Sequence, residues 1–192
     1  LLRRKVEDVA PERATTHLVA FQMGASENRR RWPMAFFAEL GRRLWSECDV
    51  LPVLLGSKGE RQLAERFAEL AGQSGTPFVD LVGATSLPQL AAVVGEMRLL
   101  VSNDTGTMHL AAGLGVPILA VFLATAQPWD TGPYLAGTCC LEPDLACHPC
   151  PFHAPCECEE ACRHTITVDS MFALVQAYLA TGKGRYLQAA RS

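Results

Sequence analysis

The sequence predicts an α/β domain, a parallel sheet with helices on both faces. Short apolar runs recur along the chain, amphipathic stretches of helical period stand between them, and five such strand and helix units follow one another. That alternation implies parallel strands joined by right-handed crossovers, a Rossmann-like arrangement. With 192 residues, 49% hydrophobic and 19% charged, the chain is long enough to bury a sizeable core.

Taken in order, THLVAFQM (16–23) is a short buried strand and PMAFFAELGRRLWSE (33–47) an amphipathic helix. VLPVLLG (50–56) is a second strand, and ERQLAERFAELA (60–71) keeps its apolar positions at helical spacing with Glu and Arg on the other face. PFVDLVG (77–83) is a brief strand, followed by SLPQLAAVVGE (86–96), a helix started by Ser86. MRLLVSN (97–103) and PILAVFLA (117–124) are further strands, separated by the Ala- and Gly-rich helix of DTGTMHLAAGLG. After Phe122 the pattern decays into a long stretch rich in Pro, Gly and Cys. A last amphipathic helix, about Asp169 to Ala180, precedes the polar tail 181–192.

The formal net charge of −3 argues against a nucleic-acid partner, since no lysine- or arginine-rich face is read beyond the short run Arg29-Arg30-Arg31. No apolar stretch reaches the roughly 18 residues that would span a bilayer. The opening LLRRKVEDVAPERATT has no initiator Met, signal core or cleavage site, and reads as a connector entered midway from a preceding domain. Of eight cysteines, all but Cys48 fall between Cys139 and Cys162, which points to one local structure rather than a disulfide framework.

In open parallel sheets a ligand lies beyond the carboxyl ends of the strands. The first loop there, MGASENRRRWP, offers small residues for close backbone approach, the Ser26 hydroxyl and three arginines, which suits an anion. The fourth, SNDTGTMHLAAG, places Gly106 at a helix mouth with the Thr105 and Thr107 hydroxyls, where backbone N–H groups and the helix dipole favour phosphate. His109 is expected to face the same ligand one turn in. Each feature has a plainer alternative: Asp104 and Thr105 as a helix cap, His109 as a core histidine, the arginines as a solvated face. Two such loops at one sheet edge favour a diphosphate site over these. Neither loop is a G-x-G-x-x-G or Walker sequence, so dinucleotide redox and ATP hydrolysis lose support.

GAS followed by RRWP and FAEL, then VLLGSKGERQLAE, LVGATSLPQLAAVV and LLVSNDTGTMHLAAGLGVPILAVF, resembles in order and spacing the donor-binding half of ADP-heptose:lipopolysaccharide heptosyltransferases, glycosyltransferase family nine. The resemblance implies the C-terminal half of a two-domain GT-B enzyme. Residues 1–15 would be the linker from an N-terminal acceptor domain that carries the catalytic base, residues 16–180 the nucleotide-sugar domain, and 139–164 a Cys-rich insert. By the same resemblance Thr105, Gly106 and His109 bind the pyrophosphate, with Ser26 in the same phosphate loop. Arg30 neutralises the pyrophosphate, Asp104 binds the donor sugar, and Glu60 and Thr85 lie near the nucleoside. The expected donor is ADP-heptose, the acceptor a lipid-linked lipopolysaccharide core saccharide, and the setting cytoplasmic, peripheral at the inner face of the bacterial inner membrane. No catalytic metal is required, and this chain alone should bind without transferring. Met23 stands where the family often has proline, and Leu123 where it often has glycine, so Leu123 is expected to narrow that wall.

CHPCPFHAPCECEEAC leaves three readings open: structural zinc, disulfides or free thiols, and an iron–sulfur cluster. The preferred zinc quartet is Cys147, Cys150, Cys156 and Cys162, the pattern some family members share, with His148, His153 and His164 as substitutes. A catalytic cysteine is not expected, because no thiol is read onto the phosphate-binding edge. The competing functions are an epimerase-like GT-B domain, for which only Asp104 is an evident carboxylate near the sugar, and a metal-holding binding module built on the Cys segment.

Overall fold

A computed structural model describes residues 1–11, 17–135, 137–152, 155–156 and 158–181. Helix α1 (Leu2–Val9) precedes four strand and helix units and a fifth strand: β1 (His17–Gln22), α2 (Met34–Cys48), β2 (Val50–Leu55), α3 (Arg61–Ser74), β3 (Val79–Asp80), α4 (Leu87–Gly95), β4 (Leu99–Asn103), α5 (Gly106–Gly113) and β5 (Ile118–Val121). Short helices α6 (Pro128–Thr131) and α7 (Cys162–Thr165) flank a further strand, β6 (Cys139–Leu141), and α8 (Val168–Thr181) follows. All strands are parallel, in the order β3-β2-β1-β4-β5-β6.

The period-2 geometry of the strands divides the core into two layers. From β1, Val19 and Phe21 join Phe37, Leu40, Leu44 and Phe67 of α2 and α3, with Met171 and Val175 of α8, on one face. Ala20 joins Val93 and Val94 of α4, Met108 and Ala111 of α5 and Phe122 on the other. Burial on both faces is why β2, VLPVLL, is apolar throughout. Phe21 meets Phe37 and Phe67 at ring separations of 5.6 and 6.2 Å, so aromatic packing seats α2 and α3 on the sheet. Helix α4 starts at a complete Ser86–Gln89 capping box.

Two segments differ from the sequence reading. The connector is helical over Leu2–Val9, with Leu2 and Val6 packed against the second core layer and Lys5 Nζ donating to the Asp80 carbonyl at 2.7 Å. Strand β6 lies inside the stretch without periodicity. Its three residues are too few to show alternation, yet Cys139 pairs with Leu119 and is buried. Cys139 and Cys140 are thus sheet residues, and burial pushes both thiols up, Cys140 to about 11.

Candidate functional site

The central strands β1 and β4 run side by side with Gln22 level with Ser102, and the strand order departs from them in opposite directions. A crevice opens at that reversal, at the carboxyl edge of the sheet. Asn103, wholly buried at the end of β4, ties the two loops that flank it. Its Nδ2 donates to the carbonyls of Met23 (2.8 Å) and Gly24 (3.3 Å), and its Oδ1 accepts from the Trp32 N–H (2.9 Å). One amide therefore holds the start and the end of the first loop.

Thr105 is extended (φ −150°, ψ 164°) and its side chain makes no cap bond to α5. Asp104 turns away from the helix: its Oδ2 accepts from Thr131 Oγ1 (3.1 Å) and lies 3.6 Å from Arg30 Nη1. The plain capping role is thereby overturned, and the first N–H groups of α5 are left toward the crevice, where helix ends favour anions. Arg30 Nε donates to Thr125 Oγ1 at 2.7 Å and its Nη1 to Ser26 Oγ at 3.5 Å, so the guanidinium is fixed rather than solvated. Neither is the arginine run a free face: Arg29 pairs with Glu27 at 2.7 Å, and Arg31 Nη2 donates to the Ala25 carbonyl at 3.1 Å.

Across the crevice, Glu60 accepts from the Ser57 N–H (2.6 Å) and from Gln22 Nε2 (3.2 Å). Its carboxylate occupies the space a side chain at residue 24 would fill; a Cβ there would come within 1.4 Å of Oε1, which is why this position is glycine. The resulting cleft of about 860 Å³ is lined by Ser26, Glu60, Thr85, Asp104, Thr105 and Gly106, with Leu87 and Leu90 as its apolar side. Six of the eight residues read from the sequence thus share one cavity. Arg30 stands behind it, linked through Ser26 and Asp104. His109 does not line it: Gly106, Thr107 and Leu110 take the cleft face of α5, and His109, three residues beyond Gly106, is exposed at its flank. It is not a core histidine either. Leu123 does not narrow the wall, because its side chain is fully buried in the first core layer, and Met23 joins it there.

The family model Glycosyltransferase family 9 (heptosyltransferase) matches residues 2–161. Lipopolysaccharide heptosyltransferase 1 of Pseudomonas aeruginosa is 33% identical over 148 residues, 77% of this chain and 39% of that protein. The chain belongs to glycosyltransferase family 9. A further relative, lipooligosaccharide heptosyltransferase 2 of Haemophilus ducreyi, is 35% identical over 102 residues, 52% of this chain and 29% of that one. Among solved structures, E. coli ADP-heptose LPS heptosyltransferase II superposes with a TM-score of 0.72 at 24% identity, covering 87% of this chain and 47% of that one. E. coli heptosyltransferase WaaC with ADP gives 0.63 at 21% identity, covering 92% and 48%. This chain thus spans less than half the length of these family members, and the superpositions establish its GT-B-like fold.

In this family 9 chain the Cys segment packs against the arginine loop through its backbone and through side chains other than its thiols. The Cys150 N–H donates to the Ala124 carbonyl (2.8 Å), Phe152 lies 5.8 Å from the Arg30 guanidinium, and Arg163 Nε donates to the Arg31 carbonyl (3.0 Å). No thiol lines the cleft. The cysteines of the preferred zinc quartet lie near one another, with Cys150 and Cys162 within electrostatic range of other thiols. Cys147 and Cys156 both approach Cys158, at 3.4 and 3.6 Å between sulfurs, and Cys162, buried at the start of α7, lies within electrostatic range of all three. Among the described residues no group of three or more His, Cys, Asp or Glu is arranged to hold a metal. Of the substitutes, His164 meets Phe36 edge to face, His148 Nε2 is buried without a hydrogen bond, and His153 lies outside the described residues. Among the described residues no helix is long and apolar enough to cross a membrane.

Asn103, Thr125, Thr131 and Gln22 escaped the sequence reading. Asn103 had one local signal, a polar residue closing a strand that is otherwise buried. Thr125 and Thr131 had none, because their partners come from distant loops.

Proposed function

We propose that this chain is the nucleotide-sugar half of a heptosyltransferase that moves a sugar, heptose from ADP-heptose, onto a lipopolysaccharide core acceptor. In this reading residues 1–15 link it to an acceptor domain carrying the catalytic base, residues 16–180 hold the donor, and the enzyme works at the cytoplasmic face of the membrane. One observation carries it: the α5 N-terminus, without a side-chain cap, opens into the cleft between Ser26 and Asp104, with Arg30 fixed behind by Thr125.

The diphosphate is assigned to the N–H groups at Gly106 and Thr107, the hydroxyls of Thr105 and Ser26, and the Arg30 charge, with His109 turning in from the flank. Asp104 takes hydroxyls of the sugar, and Glu60 and Thr85 lie toward the nucleoside, whose base has Leu87 and Leu90 to pack on. As the bond from the anomeric carbon to the diphosphate oxygen breaks, negative charge grows on the departing ADP. Fixed N–H donors and a fixed guanidinium stabilise that charge more in the transition state than in the ground state. The acceptor hydroxyl loses its proton to a base outside this chain, so the chain alone binds and does not transfer.

Calorimetric titration with ADP, UDP and GDP tests the reading. Preference for ADP, weakened by His109→Ala, supports it. Asp104→Ala should spare ADP and weaken ADP-heptose. No diphosphate binding, or turnover by this chain alone, contradicts it.

A further inference from the structure

The five cysteines from Cys147 to Cys162 have no part in the donor site. All five lie within electrostatic range of others in the group, and three of them come closest. Cys147 and Cys158 sulfurs are 3.4 Å apart, Cys156 and Cys158 3.6 Å, and Cys147 and Cys156 are exposed to solvent. A disulfide bond is about 2.05 Å, so joining the first pair needs a movement on the order of 1 Å in a surface segment. Cys48, on α2, and Cys139 and Cys140, in β6, belong to other parts of the fold.

The segment is tied to the arginine loop at three points. Phe152, which lies between the paired cysteines in sequence, sits 5.8 Å from the Arg30 guanidinium. The Cys150 N–H is bonded to the carbonyl of Ala124, whose neighbour Thr125 holds Arg30 Nε. Arg163 Nε grips the Arg31 carbonyl. Drawing residues 147 and 158 together therefore pulls on the groups that position Arg30.

We propose that Cys147 and Cys158 form a reversible disulfide, a modification site whose closure displaces Phe152 and loosens Arg30. The oxidant is a low-molecular-weight disulfide such as glutathione disulfide. The Cys147 thiol gives its proton to solvent and its sulfur attacks, releasing one glutathione thiolate; the Cys158 sulfur then displaces the second. The protein loses two hydrogens as one S–S bond forms, and the glutathione disulfide becomes two thiols. The consequence for ligand binding rests on the donor-site reading above; the disulfide itself does not.

The full chain, purified reduced, is incubated with glutathione disulfide, alkylated and mapped by peptide mass, with elemental analysis before oxidation. The expected product is a Cys147–Cys158 crosslink, reversed by dithiothreitol and absent in Cys147→Ser. With it, the Arg30 Nε–H resonance should shift, and ADP binding should weaken three- to tenfold. Absence of the crosslink, pairing through other cysteines, or a stoichiometric metal that protects the thiols overturns the site. A crosslink that leaves the Arg30 Nε–H resonance unmoved overturns the coupling. Loss of ADP binding in both redox states counts against the donor-site reading alone, because mass mapping and the resonance need no ligand.

Discussion

Arg30 and Asp104 face one another at the crevice, Nη1 3.6 Å from Oδ2, and each is held by a threonine hydroxyl, Arg30 by Thr125 and Asp104 by Thr131. Their side chains are only 14% and 10% exposed, so the guanidinium is already desolvated and aimed before any anion arrives. Hydrogen bonds to charged groups contribute about 1.5–3 kcal/mol. Arg30→Ala is therefore expected to weaken ADP binding roughly 10- to 100-fold. Arg30→Lys keeps the charge but not the planar fork and should fall between. Calorimetry checks both, and unchanged affinity in Arg30→Ala would remove Arg30 from the site.

Asn103 is expected to act on stability as well as on binding. Its removal leaves the Trp32 N–H and the Met23 and Gly24 carbonyls without their amide partner in a buried position. Asn103→Ala should cost about 3 kcal/mol, a fall in Tm of roughly 6–12 °C. Asn103→Asp should do no better, since a carboxylate cannot donate to two carbonyls. Thermal unfolding indistinguishable from wild type would show that the two loops are held by other means.

Gly24 and Glu60 give a test by coupling. Because a Cβ at residue 24 would collide with the Glu60 carboxylate, Gly24→Ala should expel that side chain and break its bond to Gln22. If the collision is the whole reason for glycine, Gly24→Ala is far less damaging in a Glu60→Ala background. A double-mutant cycle by chemical denaturation should return a coupling of about 1–3 kcal/mol. Additive effects would mean that the backbone needs the glycine for another reason.

His148 gives a pH dependence. Burial, opposed in part by Glu142 and two backbone carbonyls, holds its imidazole below the usual histidine value of 6.5. The unfolded chain thus takes up this proton more readily than the folded one. Its stabilising contribution is complete above the unfolded value and is lost as pH falls from about 6.5 through the lower folded value. Denaturation midpoints measured from pH 8 to 5 should fall less in His148→Gln than in wild type. A parallel fall in both would rule His148 out as the source.

Much of the site was legible because it is local. Strand, small residue and helix follow directly in SNDTG and MGAS, so Ser26, Asp104, Thr105 and Gly106 could be placed at a sheet edge without three-dimensional knowledge. The orientation of side chains was less legible. His109 falls on the flank of α5 because three residues stop short of a full turn from Gly106, on the side away from Thr107 and Leu110, and Leu123 turns into the core because it follows the strand's alternation. The Asn103 clamp joins residues about eighty positions apart, and no local pattern encodes such a partner. Strand β6 was hidden by its own cysteines, whose clustering suggested thiol chemistry while two of them were serving as sheet residues.

The central claim is that the open end of α5 receives the diphosphate. Titrating the ¹⁵N-labelled chain with ADP and following backbone amide resonances tests it most directly. The account requires the largest shifts at Thr105, Gly106 and Thr107, with smaller ones at Ala25 and Ser26, and none of comparable size on α1 or α8. Shifts concentrated elsewhere, or saturation of ADP with the α5 amides unmoved, would contradict it.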